Sequence, residues 1–121
     1  MRKLTQKEEV IMNRFWEHGD LFVRELRELY PDPKPHFNTL STQVRTLEAD
    51  GFLTHKVYGP TYQYHPAVTR QQYMDSSFSS VVDKFFGSSY LSAVSALVKS
   101  EKISVEDLKE LIREVEESNQ Q

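Results

Sequence analysis

The feature that most constrains this chain is a change of hydropathy period within its first 68 residues. Three successive segments repeat apolar residues at helical spacing, and the next alternates at period two around Gly59-Pro60. The helical period then returns. That order predicts three helices, a β-hairpin and further helices.

The first helix has a start signal. Thr5-Gln6-Lys7-Glu8 has the form of a capping box, and Ile11, Met12, Phe15 and Trp16 continue as an apolar stripe. Gly19 is expected to stop it in the left-handed conformation. A second helix is expected over about 22–30, with Val23, Leu26, Leu29 and Tyr30 on one face and Arg24, Glu25, Arg27 and Glu28 on the other. Asp20 is a cap residue that sits early for it, and Pro31-Asp32-Pro33-Lys34-Pro35 must break it. A third helix is expected over about 36–50. Leu40, Val44 and Leu47 face inward, Asn38, Ser41, Thr42, Arg45 and Glu48 outward, with Thr39 and Thr46 at the flanks. Asp50-Gly51 ends it. Phe52, Leu53, Val57 and Tyr58 then precede the Gly-Pro turn, Tyr62 and Tyr64 follow it, and Pro66 closes the hairpin.

From about residue 69 the pattern is helical again. Phe78, Val81, Val82, Phe85 and Phe86 form a stripe ended by Gly87, and Tyr90, Leu91, Val94, Leu97 and Val98 form a second. Ser104 can cap a third, carrying Val105, Leu108, Leu111, Ile112 and Val115. The polar tail Glu116 to Gln121 is expected to fray. The organisation expected is therefore mainly α with a small β-hairpin: a winged helix-turn-helix domain over 1–68 and a helical domain over 69–121. Phe78, Phe85, Phe86 and Tyr90 are too many aromatics for a free-standing helical segment to hide. Packing back onto the first domain and homodimerisation both answer that; the surface expected for a dimer is Phe78, Val82, Phe85, Phe86, Leu91, Val94, Leu108, Leu111 and Val115.

Composition excludes several classes. The 121 residues are 38% hydrophobic and 12% aromatic with a net charge of −3, which is not the profile of a disordered chain. The apolar runs are at most three residues long, too short for a membrane span. The first residues turn charged at once, without a signal-peptide apolar region, so a cytoplasmic location and no direct membrane association are expected. There is no cysteine, which removes disulfides and thiolate metal sites. His18, His36, His55 and His65 have no metal-ligand spacing, and no nucleophile-elbow or phosphate-loop motif occurs. Neither metal, cofactor nor enzymatic activity is expected.

Helix, helix, helix, hairpin is the winged helix-turn-helix layout, in which the third helix offers its polar face to a major groove. The charge does not advertise a DNA binder, but it is uneven. Residues 1–70 carry ten Lys and Arg against nine Asp and Glu, while residues 71–121 carry five against nine. DNA contact must then rest on a few placed groups: Asn38, Thr39, Ser41, Thr42, Arg45 and Thr46 on the third helix, with Lys56 and Tyr58 on the wing and His55 beside them. Arg45 is the one long donor on that helix face and suits bidentate contact with guanine. Two rival readings share the layout: a protein–protein adaptor, and a repressor that senses a small molecule in a pocket among the C-terminal aromatics.

Three stretches resemble a known family. These are Thr5-Gln6-Lys7-Glu8-Glu9-Val10-Ile11-Met12 with Trp16; Asn38-Thr39-Leu40-Ser41-Thr42-Gln43-Val44-Arg45-Thr46-Leu47 running into Gly51-Phe52-Leu53; and Lys84-Phe85-Phe86-Gly87 with Lys99-Ser100-Glu101 and Glu106-Asp107-Leu108-Lys109-Glu110-Leu111. In order and spacing they resemble the BlaI/MecI penicillinase-repressor family over nearly the whole chain. The resemblance implies a homodimeric repressor on a dyad operator of a β-lactamase-type resistance operon. It also implies release when a membrane-bound sensor metalloprotease cuts the C-terminal segment. Ala96-Leu97 is the candidate cleavage bond, in place of the family's Asn-Phe. The chain lacks the cysteine cluster of the family's copper-responsive CopY branch, and Ser41 stands where the resistance repressors tend to place arginine.

Overall fold

The computed structural model describes residues 1–119. The elements are α1 (Gln6–His18), β1 (Leu21–Phe22), α2 (Val23–Glu28), α3 (Phe37–Ala49), β2 (Leu53–Tyr58), β3 (Thr61–Pro66), α4 (Arg70–Phe85), α5 (Tyr90–Lys99) and α6 (Val105–Asn119). They form two compact units that divide within α4, one from Met1 to Ser77 and one from Phe78 onward.

The first unit begins with a clamp. The Thr5 hydroxyl accepts from the Glu8 N–H at 3.2 Å while the Glu8 carboxylate takes the Thr5 N–H at 2.9 Å, completing the expected capping box. The same carboxylate receives two hydrogen bonds from Arg2, at 2.8 and 2.7 Å. Arg2 also donates to Asp50 at 2.7 Å, so the chain's first residues are pinned to the end of α3. The Arg2 guanidinium holds the Glu8 carboxyl at about 2, against an ordinary 4.5, with burial opposing it and the Thr5 hydrogen bonds assisting.

Ile11, Met12 and Phe15 of α1 are wholly buried with Leu26, Leu40, Val44, Leu47 and Phe52. Trp16 lies at the edge of this core. Its Nε1–H donates to the Val68 carbonyl at 2.9 Å, and its ring lies 5.9 Å from Tyr73 at the start of α4. The Tyr73 hydroxyl accepts the Leu4 N–H at 3.0 Å. The first turn of α4 therefore belongs to the first unit, capped reciprocally by Thr69 and Gln72 at 3.0 and 2.9 Å.

Several local details differ from the sequence expectations. Gly19 has φ +81° but ψ −137°, outside the left-handed helical well, because the chain leaves α1 directly into an extended segment. That segment is β1, an unexpected third strand: Leu21 pairs with Tyr64 and Phe22 with Gln63, giving an antiparallel sheet in the order β1-β3-β2. Strand β1 consumes the start expected for the second helix. The Glu25 carboxylate, not Asp20, caps α2 by accepting the Phe22 N–H at 2.9 Å. The far end tightens into i→i−3 bonds at Leu29 and Tyr30, so α2 is six residues long. The hairpin forms as expected, with Tyr58 opposite Thr61 across the two-residue loop Gly59-Pro60. Gly59 has φ +59°, and proline follows with its fixed negative φ, the sign pattern of a type II′ turn.

In the second unit, Ser89 accepts from the Ser92 N–H at 3.1 Å and Ser104 from the Asp107 N–H at 3.0 Å, capping α5 and α6. Val82 and Ala93 are its buried apolar residues among those described. Helix α6 reaches Asn119, so Glu116 to Asn119 are helical where fraying was expected; Gln120 and Gln121 lie outside the described residues.

Candidate nucleic-acid interface

Helix α3 presents a polar ridge because its apolar residues are all used underneath. With Leu40, Val44 and Leu47 at 1%, 0% and 0% exposure, the opposite face carries Asn38, Thr42, Arg45 and Thr46, all exposed. The threonines are tied to their own helix. Thr42 Oγ1 donates to the Asn38 carbonyl at 2.9 Å and Thr46 Oγ1 to the Thr42 carbonyl at 3.1 Å. Their lone pairs and methyl groups remain for a partner. Arg45 lies along the ridge, donating to the Ser41 carbonyl at 3.3 Å and to Thr42 Oγ1 at 3.5 Å. Both bonds are at the long limit, so the guanidinium is free to take a stronger acceptor.

Thr39 and Ser41 leave this ridge in opposite directions, since two residues turn a helix by roughly 200°. Thr39 faces α1 and the proline segment, in a cavity of about 260 Å³ with Lys7, Val10, Tyr30, Pro33, Pro35 and Gln43. Ser41 faces the hairpin tip, in a larger cleft with Phe37, Arg24 and Tyr62. The six α3 residues expected to act together are thus four on a ridge and one on each flank.

On the wing, Lys56 and Tyr58 are both exposed on β2. Alternation puts them on one face of the sheet and His55 and Val57 on the other. The Tyr58 ring meets Phe22 of β1 edge-on at 5.7 Å. His55 stacks on Tyr62 with centroids 4.2 Å apart, and its Nδ1 meets the Glu48 carboxylate at 2.5 Å. This contact ties the hairpin to the last turn of α3, so helix and wing are held as one surface. His65 similarly meets Asp20. Burial first, and then the Glu48 charge, raise the Tyr64 phenol above its ordinary range.

Arg24, Arg27 and Phe37 lie at this surface although the sequence did not single them out. The first two are where charge on the outer face of a short helix is expected anyway, so the pattern carries no separate signal. Arg27 Nε donates to the Pro35 carbonyl at 2.8 Å, and Lys34 Nζ to the Tyr30 carbonyl at 2.6 Å, which shapes the proline break before α3. Phe37 is half exposed at the first position of α3.

In the second unit the residues expected at a dimer surface separate by exposure. Phe78, Phe85, Leu91, Leu111 and Val115 are exposed, Leu91 by 83% and Phe85 by 69%. Phe86, Val94 and Leu108 are half-buried. Val82 is at 0%, so it is buried within its own chain and has no surface to offer a partner. Tyr90 packs on Phe78 at 6.0 Å and donates to Ser79 at 3.2 Å. Ala96 and Leu97 both lie inside α5. The Ala96 carbonyl accepts from the Ser100 N–H at 3.0 Å and the Leu97 carbonyl from the Lys102 N–H at 3.1 Å. Among the described residues, no helix is long and apolar enough to cross a membrane.

Comparison with known proteins gives a concordant picture. The sequence pattern of the family described as "Penicillinase repressor" matches residues 4–117. The chain is also 24% identical to the "Penicillinase repressor" of Bacillus licheniformis over 121 residues, covering 97% of this chain and 94% of that protein.

Proposed function

The chain belongs to the penicillinase repressor family of DNA-binding transcriptional regulators, and from that premise we propose a homodimeric repressor that reads a dyad operator. The observation that carries this reading is the exposed ridge Asn38, Thr42, Arg45 and Thr46, backed by a fully buried apolar face. In the proposal this ridge enters the major groove, and Arg45 swings from its long intrahelical bonds to a guanine edge. Thr39 and Ser41 contact the phosphates on either side, and Lys56 and Tyr58 follow the neighbouring backbone from the wing.

Residues 1–68 form the DNA-reading domain and residues 69–121 the dimerisation domain in this reading. The exposed Phe78, Phe85, Leu91, Leu111 and Val115 supply the apolar surface that a second copy covers. Two linked recognition helices gain affinity because the second binding event is intramolecular. The regulated genes belong to an antibiotic-resistance operon of the β-lactamase type. Release follows when a membrane-bound sensor protease cuts Ala96-Leu97, separating the two DNA-reading halves. Since that bond lies within a hydrogen-bonded helix, cutting requires α5 to unwind locally.

A gel shift tests the reading, using a duplex from the gene's own upstream region, titrated with salt and nonspecific competitor. A shift of dimer size that survives competitor and weakens with salt is expected, because phosphate contacts release counterions. No shift even at low salt overturns it and favours a protein–protein adaptor.

A further inference from the structure

The face that presents α3 also carries an apolar cleft that DNA recognition does not explain. It lies between the start of α2, the start of α3 and the hairpin tip, and it holds about 480 Å³. That size falls within the range of small-molecule sites. Phe22, Phe37, Pro60 and Tyr62 supply aromatic and apolar walls, while Arg24 and Arg27 bring two positive charges against the single carboxylate of Glu28. Phe37 and Tyr62 are 50% and 45% exposed, a costly arrangement on a surface meant for a polyanion. The Arg24 guanidinium already lies over the Phe22 ring at 5.7 Å, so aromatic and cationic recognition elements coincide. Among the described residues Arg27 spends only its Nε–H, on the Pro35 carbonyl, which leaves its terminal N–H groups for an anion. Ser41 is in the same lining and carries a neutral hydroxyl donor.

We infer that this cleft is a binding site for a small aromatic anion, a ring system bearing a carboxylate or sulfonate. The rings fill the space between Phe37 and Tyr62, and the acid group meets Arg24 and Arg27. Because Ser41 and the hairpin tip flank the α3 ridge, an occupied cleft places a negative charge where a phosphate would approach. Ligand and duplex then exclude one another, a consequence that rests on the proposed DNA reading, whereas anion binding itself does not. The lining residues all belong to the first unit, whereas the sequence suggested a ligand pocket among the C-terminal aromatics.

The test uses the full chain and 1-naphthoate, with the uncharged 1-naphthamide as its isostere, followed through backbone amide NMR signals. Saturable shifts are expected at Arg24, Phe37, Ser41 and Thr61, with naphthamide about tenfold weaker because the charge-assisted bonds are missing. Arg24→Gln and Phe37→Ser, both at exposed positions, are each expected to weaken naphthoate while leaving the amide spectrum folded. Absence of saturable shifts, shifts confined to residues 78–119, or equal affinity for acid and amide each overturns the site. A gel shift at saturating naphthoate then reads exclusion: the protein needed for half-shift rises, and an unaltered titration refutes exclusion. Failure of the duplex to bind without naphthoate refutes the repressor reading alone, with the NMR shifts still deciding the site.

Discussion

The two units of this chain solve the problem of burial differently. Among the described residues, thirteen apolar side chains are buried in the first unit and two, Val82 and Ala93, in the second. The first unit closes a core from α1, α2, α3 and the sheet, and its polar clamp of Arg2, Glu8 and Asp50 joins residues up to 48 positions apart in the sequence. The second makes three amphipathic helices yet leaves Val105, Leu111, Ile112 and Val115 half exposed along α6. Amphipathicity alone therefore does not make a core; the stripes must also find a surface. One unit encloses a core of its own, whereas the other leaves apolar area exposed, the surface that the proposed dimer would cover.

Substitutions sharpen this contrast. Phe15→Ala, at a site with no exposure, is expected to destabilise the first unit by about 3–5 kcal/mol, read as a lowered denaturation midpoint. Phe85→Ser removes a side chain that its own protomer hardly covers, so the intramolecular loss is small. It is instead expected to dissociate the proposed dimer in sedimentation and to lower operator affinity by roughly 10²–10⁴-fold as tethering is lost. A dimer that persists in both Phe85→Ser and Leu111→Ser would break the comparison.

Smaller effects probe the first unit alone. The Glu8 carboxyl is held at about 2 in the folded protein, below its ordinary 4.5. Its contribution is full above pH 4.5 and is lost as the pH falls toward 2. Glu8→Gln should flatten that acid limb of the stability profile, measured by denaturant titration at several pH values. Arg45→Ala is expected to cost about 1–3 kcal/mol of specific binding and to lower the ratio of specific to nonspecific affinity. The fold should be untouched, because Arg45 bonds only within its own helix. Gly59→Ala forces a Cβ into a φ of +59° at the hairpin turn and should cost about 1 kcal/mol. Thermal denaturation checks that value, with the midpoint of the second unit unaffected.

Much of this was legible in sequence because it is local. Thr5 and Glu8 are three residues apart, Leu40, Val44 and Leu47 repeat within one helix, and Gly59-Pro60 dictates its own turn. Such signals need only neighbours along the chain, and they place the α3 ridge as well as its buried face. The exposed aromatics of the second unit also announce themselves, since a stripe is visible whether or not anything covers it. What covers it is not encoded in the stripe.

The sequence by itself determined the helices, the hairpin and the polarity of the exposed face of α3, through period, caps and turn chemistry. Only the tertiary structure decided what depends on residues far apart. A two-residue strand has no period to read, and Leu21–Phe22 exists because Tyr64 and Gln63 offer it a ladder. Tertiary packing likewise buried Val82 completely and set Arg24, Phe37 and Tyr62 around one cleft. Each of these rests on contacts whose partners are unknown until the chain has folded.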